Sequence, residues 1–226
     1  MPPMPNEEDR RHALALTPVS RETLERLDRF VALLLTWQST TNLIASSTIP
    51  YLWTRHIADS LQLLDVLPDA RTWVDMGSGA GFPGLVLAIA LAGKPGACAH
   101  LVESNAKKSA FLREAIRVAA CPAVVHHMRI EDFLGRFAGT ADAVTARALS
   151  PLKVLIDQSV TLISKGALGV FPKGQDASSE LAEANKYWSM KSTVVPSRTD
   201  QRSSILVIHS ADKVQKVNKG IKVNRV

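Results

Sequence analysis

Between Trp73 and Gly84 the chain reads Trp-Val-Asp-Met-Gly-Ser-Gly-Ala-Gly-Phe-Pro-Gly, an apolar run that meets an acid, Asp75, and opens into alternating glycines. Glycines allow positive φ and bring backbone close to a ligand with no Cβ in the way. A dinucleotide fingerprint would need a glycine where Phe82 stands. A phosphate-binding P-loop would need Gly-Lys-Ser/Thr where the chain has Gly84-Leu85-Val86. What remains is acid-x-Gly-x-Gly-x-Gly, and an acid at the loop entrance suits a cationic ligand. S-adenosylmethionine carries an α-ammonium and a sulfonium but no pyrophosphate, so Asp75 attracts rather than repels it. A second apolar run, Leu101-Val102-Glu103, also ends in an acid, one suited to accept from both ribose hydroxyls. In the competing structural reading, Asp75 caps the following turn, Glu103 caps the next helix and the glycines only pack.

The elements that must carry these residues follow from periodicity. From Thr72 onward, short β-branched runs alternate with helical segments, as in βαβ units of a parallel sheet. Strands are predicted at 72–76, 99–103, 123–127, 141–146, 167–171, 192–196 and 205–209, with helices near 83–92, 105–119, 151–163 and 177–189. Seven strands with their crossovers make a doubly wound α/β fold. Before them, Ser20 can cap a helix whose apolar positions Leu24, Leu27, Phe30, Val31, Leu34 and Leu35 share one face. A second helix is expected between Pro50 and Pro68, completing an N-terminal helical extension over residues 1–70. The catalytic unit is then 71–212, followed by a basic tail, 213–226, expected to be flexible.

Composition narrows the class. With 226 residues, 46% hydrophobic and 21% charged, the chain is neither largely disordered nor collagen-like. Cys98 and Cys121, the only cysteines, form no metal clip or disulfide framework, which suits a reducing compartment. Met1 to Arg11 lacks the apolar core of a signal peptide, and no apolar run reaches the length of a membrane span. A cytoplasmic protein is expected. The net charge of +6 is unevenly placed: residues 1–70 carry −3, residues 71–147 carry +3, and 213–226 hold five Lys+Arg and no acid. Attraction to a polyanion should therefore be local.

Several segments together resemble the ribosomal RNA small subunit methyltransferase G family, also called glucose-inhibited division protein B. They are Trp37 with Asn42-Leu43, Arg55-His56-Ile57-Ala58-Asp59-Ser60-Leu61, the 77–84 loop, Glu103-Ser104-Asn105-Ala106-Lys107-Lys108 with Phe111-Leu112, Arg129-Ile130-Glu131 and Thr145-Ala146-Arg147-Ala148. The resemblance, over about 20–210, implies a class I methyltransferase-like Rossmann fold: a seven-stranded, mostly parallel sheet with helices on both faces. It further implies methyl transfer from S-adenosylmethionine to N7 of a guanine in 16S ribosomal RNA, presented in a small ribosomal subunit or assembly intermediate, by a monomer. By the same resemblance Gly77 and Phe82 contact the cofactor, and Ile130 and Glu131 flank its adenine. Ile130 stands where many relatives have a small residue, so its backbone carries that expectation. Arg147 resembles the arginine assigned to the cofactor site. It lies where class I methyltransferases place the reacting base, so it is also a candidate for positioning guanine O6 or a phosphate. The structural alternative is a salt bridge to Asp142 or Asp75.

The residues are compatible with that chemistry. Methylation at pyrimidine C5 needs a cysteine nucleophile, yet Cys98 and Cys121 precede strands rather than follow the fourth one. The Asn/Asp-Pro-Pro-aromatic turn used for exocyclic amines is absent from Ala146-Arg147-Ala148-Leu149-Ser150-Pro151. Guanine N7 has a lone pair and no proton, so no general base is required and alignment suffices. Among the histidines, His126 and His127 point to opposite strand faces, whereas His12, His100 and His209 stand alone. His56 is divided between a helix-to-domain hydrogen bond and a substrate-side contact, and Asn42, with Arg55 and His56, is a candidate for shaping the pocket mouth. RNA contacts are expected from Lys107 and Lys108, with Arg113 and Arg117 continuing the row, from Lys173-Gly174, and from the tail. No metal is expected. Two other readings stay open: a methyltransferase of a small molecule or protein, and a non-catalytic RNA-binding protein.

Overall fold

The computed structural model describes residues 4–214, so most of the basic tail lies outside the described residues. The chain begins with α1 (Glu7–Leu16), capped by the Asn6 side chain on the Glu8 N–H and carrying Glu7, Glu8 and Asp9 at its positive end. The sequence reading gives no helix there because only Ala13 is buried, leaving no apolar stripe to detect. Ser20 caps α2 (Arg21–Gln38) through the Thr23 N–H, as expected, and Leu27, Phe30, Val31 and Leu34 are buried.

The single helix expected from Pro50 to Pro68 is instead a 3₁₀ turn (Ser46–Tyr51), a π-helical turn (Trp53–Ala58) and α3 (Asp59–Val66). Asp9 Oδ2 accepts from the N–H groups of Trp53 and Thr54, which α-helical bonding would otherwise leave open after Pro50. The wider π turn re-aims Arg55 and His56, a local distortion that recurs at functional sites.

The sheet contains parallel β1 (Thr72–Met76), β2 (Cys98–Val102), β3 (Ala123–His126), β4 (Ala143–Thr145) and β5 (Leu168–Lys173), joined by antiparallel β6 (Trp188–Pro196) and β7 (Ser204–Lys213). The spatial order is β3-β2-β1-β4-β5-β7-β6. Its helices are α4 (Gly84–Ala90), α5 (Ala106–Ala119), α6 (Ile130–Arg136), α7 (Leu152–Ser164) and α8 (Ala177–Ala184). All seven strands overlap their expected positions, although β6 starts four residues earlier than expected and β7 runs four residues further. Two helical expectations change: α8 stops at Ala184, because Trp188 already begins the alternating in-and-out pattern of β6, and α6 is too short to show a period.

The chain leaves β1 toward β2 and β3, then returns to β4 on its other side. Such a reversal opens a crevice beyond the carboxyl ends of the strands. Gly77, Glu103, Arg147 and Lys173 all stand on that rim. Lys213 pairs with Trp188 and Ser204 with Lys173, so β7 runs away from the rim and ends at the opposite end of the sheet.

Side-chain alternation divides β1 between two apolar layers. Trp73 faces the layer formed with α2, α3, α4 and α5, whereas Val74 and Met76 face α6 and α7. Asp75 shares the Trp73 face and is fully buried against the start of α4. Phe30 of α2 meets Phe82 edge-on at 5.5 Å and Phe111 of α5 at 6.3 Å, clamping the glycine turn beneath the N-terminal layer. Among the described residues no helix is long and apolar enough to cross a membrane.

Gly84 is where this packing leaves no slack: a Cβ there would stand 2.5 Å from Asp75 Cβ and 2.7 Å from Leu101 Cδ2. Gly84→Ala should therefore lower the free energy of unfolding by about 1–3 kcal/mol, the range for an overpacked core. Denaturant titration checks this, and undiminished stability would show that α4 can move off the sheet.

Candidate active site

At the switch point two cavities meet. The smaller, about 410 Å³, is lined by Gly77, Gly79, Glu103, Lys108, Ile130, Glu131 and Arg147, together with Leu149 and Gln158. The larger, about 620 Å³, is lined by Arg55, His56, Asp59, Arg147, Leu149, Lys173 and Glu180 among others. Arg147, Ala148 and Leu149 form the wall they share. Both volumes lie within the range of small-ligand sites.

The smaller cavity is built from the glycine turn and the ends of β2 and β3. Gly77, Gly79 and Gly81 have φ of 70°, 55° and 90°, the left-handed region that favours glycine. A Cβ on Gly77 would overlap Leu149 at 2.8 Å, whereas one on Gly79 would meet only the Gly77 carbonyl at 3.8 Å. Gly79 therefore leaves open space where a ligand can approach backbone. Glu103 accepts from the Gly79 N–H at 2.9 Å and from the Asn105 N–H at 2.7 Å, tying the turn to the start of α5. Each carboxylate oxygen retains a second lone pair, so these bonds leave acceptor capacity for ribose hydroxyls. Glu131 accepts from Gln158 Nε2 at 3.3 Å, joining the start of α6 to the middle of α7 beside the same space.

Asp75 does not line this cavity. Its Oδ2 accepts from the Gly84 N–H at 3.1 Å, its Oδ1 is buried with no partner among the described residues, and burial pushes its pKa up to about 6. The structural alternative for Asp75 is thus realised at the level of contact, and any attraction for a cation in the loop acts through space. The Asp75 carboxyl beneath the glycine cradle and the carboxylates of Glu103 and Glu131 on the cavity wall fit the ammonium, sulfonium and ribose hydroxyls of S-adenosylmethionine. Lys108, Arg129 and Arg147 on the same wall suit its carboxylate.

Arg147 is the most connected residue on the rim. Nη1 donates to the Arg55 carbonyl at 2.9 Å and to Asp59 Oδ2 at 3.3 Å, while Nη2 donates to His56 Nδ1 at 2.7 Å. The ion pair is therefore with Asp59, correcting the expectation of Asp142 or Asp75; Asp142 Oδ2 instead accepts from the N–H groups of Arg71 and Thr72. Because His56 Nδ1 accepts, its proton sits on Nε2, which donates to Thr48 Oγ1 at 2.9 Å. Burial and the Arg147 charge lower the His56 pKa to about 3, so the ring is neutral. Phe82 stacks on His56 with centroids 4.9 Å apart and lies 5.1 Å beneath the Arg147 guanidinium. Burial presses the Arg147 pKa down while Asp59 and Asp75 hold it up.

The next residue, Ala148, has φ of 52°, a strained conformation for a residue with a Cβ and one that clusters at functional sites. It turns Leu149 onto Gly77.

The structure thus brings together Gly77, Gly79, Glu103, Ile130, Glu131, Lys108 and Arg147, and places His56 in the adjoining cavity. Phe82 is buried beneath Arg147 rather than on a cavity wall, and Lys107 is exposed outside both cavities. Arg117 is paired with Glu114, removing it from the expected basic row. His100 does not stand alone: its Nδ1 lies 3.0 Å from His126 Nε2, beside Phe133 and Phe137. Sequence reasoning missed Asp59, Lys173's partner Glu180, and the Ala148-Leu149 turn. Asp59 carried a signal, standing three residues beyond His56 on one helical face.

The family model described as GidB, rRNA small subunit methyltransferase G, matches residues 23–205. The chain is 57% identical over 205 residues to a Ribosomal RNA small subunit methyltransferase G of Bradyrhizobium sp. (strain BTAi1), covering 91% of this chain and 92% of that one. It is 58% identical over 191 residues to the protein of that name from Bradyrhizobium diazoefficiens, covering 84% and 74%. Among solved structures it is similar in fold to an O-methyltransferase from Bacillus cereus in complex with SAH, at 14% identity and a TM-score of 0.60 over 90% of this chain and 97% of that one.

Gly79→Val should abolish S-adenosylmethionine binding in calorimetry, because its side chain enters the open cavity rather than the core, while the left-handed backbone at this position costs the variant about 1–2 kcal/mol of stability without unfolding it. Unaltered affinity would refute the placement of the ligand. Asp75 yields a pH test. Its folded pKa of about 6 exceeds the ordinary 3.8, so its contribution to stability is complete below about pH 3.8 and is lost as pH rises through about 6. Asp75→Asn should therefore gain on the parent by roughly 2 kcal/mol between pH 4 and pH 7 in parallel denaturation curves. A difference independent of pH would overturn the assignment.

Proposed function

The chain belongs to the rRNA small subunit methyltransferase G family, and from that premise we propose that it methylates N7 of a guanine in 16S ribosomal RNA, with S-adenosylmethionine as donor. The substrate is the RNA within a small ribosomal subunit or an assembly intermediate, and the protein acts as a cytoplasmic monomer. The observation that carries this reading is the wall shared by two cavities, one rich in glycine and acid and the other lined by Arg55, His56 and Lys173.

In this reading residues 71–212 form the methyltransferase unit and residues 1–70 the layer that braces its rim. Gly77 and Gly79 give backbone contacts to the donor, Glu103 accepts from its ribose hydroxyls, and Ile130 and Glu131 flank its adenine. Phe82 acts from below, seating Arg147 and His56. The donor supplies an electrophilic methyl group on a sulfonium. As the N7–C bond forms the S–C bond breaks, and the positive charge passes to the base without any proton changing place.

The chain's task is then to align N7 with the methyl carbon, and the polar groups of the shared wall are committed to that task. His56 is neutral, with Nδ1 held by Arg147 and Nε2 donating to Thr48, so it is not free to act as a base. Arg147 is fixed between both cavities, where it can direct a hydrogen bond to O6 beside N7. Lys107 and Lys108 at the start of α5, with Lys173 at the end of β5, place positive charge on the same rim. Intact loop glycines and acids speak against a non-catalytic RNA-binding protein, and the basic groups along the rim, Arg55, Lys107 and Lys108, suit a polyanionic substrate better than a neutral small molecule.

The test is to map 7-methylguanine in 16S rRNA from cells with and without the gene, and to restore it with purified protein. One 7-methylguanine should be lost and regained. Arg147→Ala should lower kcat/KM by about a hundredfold, the cost of misplacing reacting groups by an ångström, while the protein stays folded. An unchanged methylation map would refute the guanine N7 reading, and full activity of the variant would return Arg147 to a structural role.

A further inference from the structure

The larger cavity contains a second ion pair whose carboxylate methyl transfer, as described above, leaves unused. Lys173, its side chain 9% exposed, donates from Nζ to the Ser150 carbonyl at 2.9 Å and to Glu180 Oε2 at 2.8 Å. The same Oε2 accepts from the Leu152 N–H at 2.6 Å. The carboxylate of α8 is thereby fixed to the start of α7 and to the end of β5, immediately beyond the Ala148-Leu149 turn.

The two bonds to Glu180 both fall on Oε2 and leave Oε1 without a protein partner among the described residues, on a side chain 26% exposed that lines the cavity. The other carboxylate on this wall, Asp59, is committed on both oxygens: Oδ2 to Arg147, and Oδ1 to Gln62 and Thr199. Glu180 is thus the one anchored acceptor in the larger cavity with an open carboxylate oxygen among the described residues.

A carboxylate held in place by other groups is matched to adjacent N–H donors. Guanine presents such a pair, N1–H and N2–H₂, on the edge remote from N7. Adenine presents a lone pair at N1 and has no amine at C2. We infer that Glu180 reads the Watson–Crick edge of the target guanine, accepting from N1–H and N2–H₂ while N7 faces Arg147 and the smaller cavity. Lys173 is its positioning residue. The inference rests on the guanine N7 reading above and adds the residue that selects the base. An adenine in the same place would set its N1 lone pair against Oε1 and leave a desolvated carboxylate unpaired, the kind of mismatch that discriminates strongly.

The experiment compares small-subunit RNA carrying guanosine or inosine at the target position, using the full-length parent and Glu180→Gln. Inosine retains N7, O6 and N1–H and lacks only the N2 amine. The parent should favour guanosine by about tenfold to a hundredfold in kcat/KM. Glu180→Gln, which can still accept from Leu152 and Lys173, should lose guanosine activity by a similar factor and bring the guanosine-to-inosine ratio close to one, with S-adenosylmethionine affinity retained. Equal rates of the parent on both RNAs, or a variant that keeps the parent's ratio, would overturn the assignment. Should the variant lose cofactor binding, the parent's ratio alone decides: a tenfold or greater preference supports the inference and equal rates refute it. Absence of methylation on guanosine by the parent would instead refute the guanine reading on which it rests.

Discussion

The rim of this protein is organised around the desolvation of one guanidinium. Arg147 sits at the end of β4 with its side chain 17% exposed, and an ion so placed persists only if its charge and its donors are met. Asp59 meets the charge, and the Arg55 carbonyl and His56 Nδ1 meet the donors. Every one of these partners comes from the N-terminal layer. The sheet carries the arginine and a different part of the chain holds it. Asp59 extends the dependence further, because its other oxygen accepts from Gln62 and Thr199, and Gln62 Oε1 accepts from the Arg198 N–H in the β6–β7 connection. Three segments distant in sequence thus converge on one buried charge.

That constraint accounts for local features that look irregular in isolation. The π turn at Trp53–Ala58 delivers His56 and the Arg55 carbonyl to the guanidinium, while Phe82 fills the space beneath both side chains. Phe30 of α2 then presses on Phe82, so the helical layer bears on the glycine turn as well as on Arg147. A neutral His56 is a consequence rather than an accident: a second cation 2.7 Å from Nη2 would remove the acceptor that Arg147 requires.

Much of this was legible in the sequence, for definite reasons. The seven strands announce themselves because a sheet covered on both faces needs near-continuous apolar runs, as in Thr72–Met76 and Cys98–Val102. The turn at 77–84 announces itself because positive φ at three alternate positions is costly for any residue but glycine. The orientation of Asp75 was available and overlooked: strand alternation sets it on the same face as Trp73, inside the α4 layer and away from the cavity. The π turn was not available, since its cause lies in Asp9 and Arg147, neither of them local. Nor was the partner of Arg147, because choosing Asp59 over Asp142 depends on how a helical layer docks on a sheet edge. The helices α1 and α6 escaped because short elements with one buried apolar residue each leave no period to read.

The same geometry clarifies why the site is rich in polar groups yet poor in free ones. Glu103, Asp59, His56 and Arg147 each have their first hydrogen bonds directed at other parts of the protein. A site that had to move a proton would keep a base near neutrality and uncommitted, which is how acid and base roles are separated in enzymes that perform such chemistry. Here the one imidazole on the wall is driven far below its ordinary range and tied at both nitrogens. What the wall conserves is shape: a strained Ala148 turns Leu149 onto Gly77, and a fixed Arg147 stands between two cavities. A nucleophile that already carries its lone pair, such as guanine N7, asks for nothing else, so the rigidity of the rim and the absence of a poised base are two sides of one requirement for alignment.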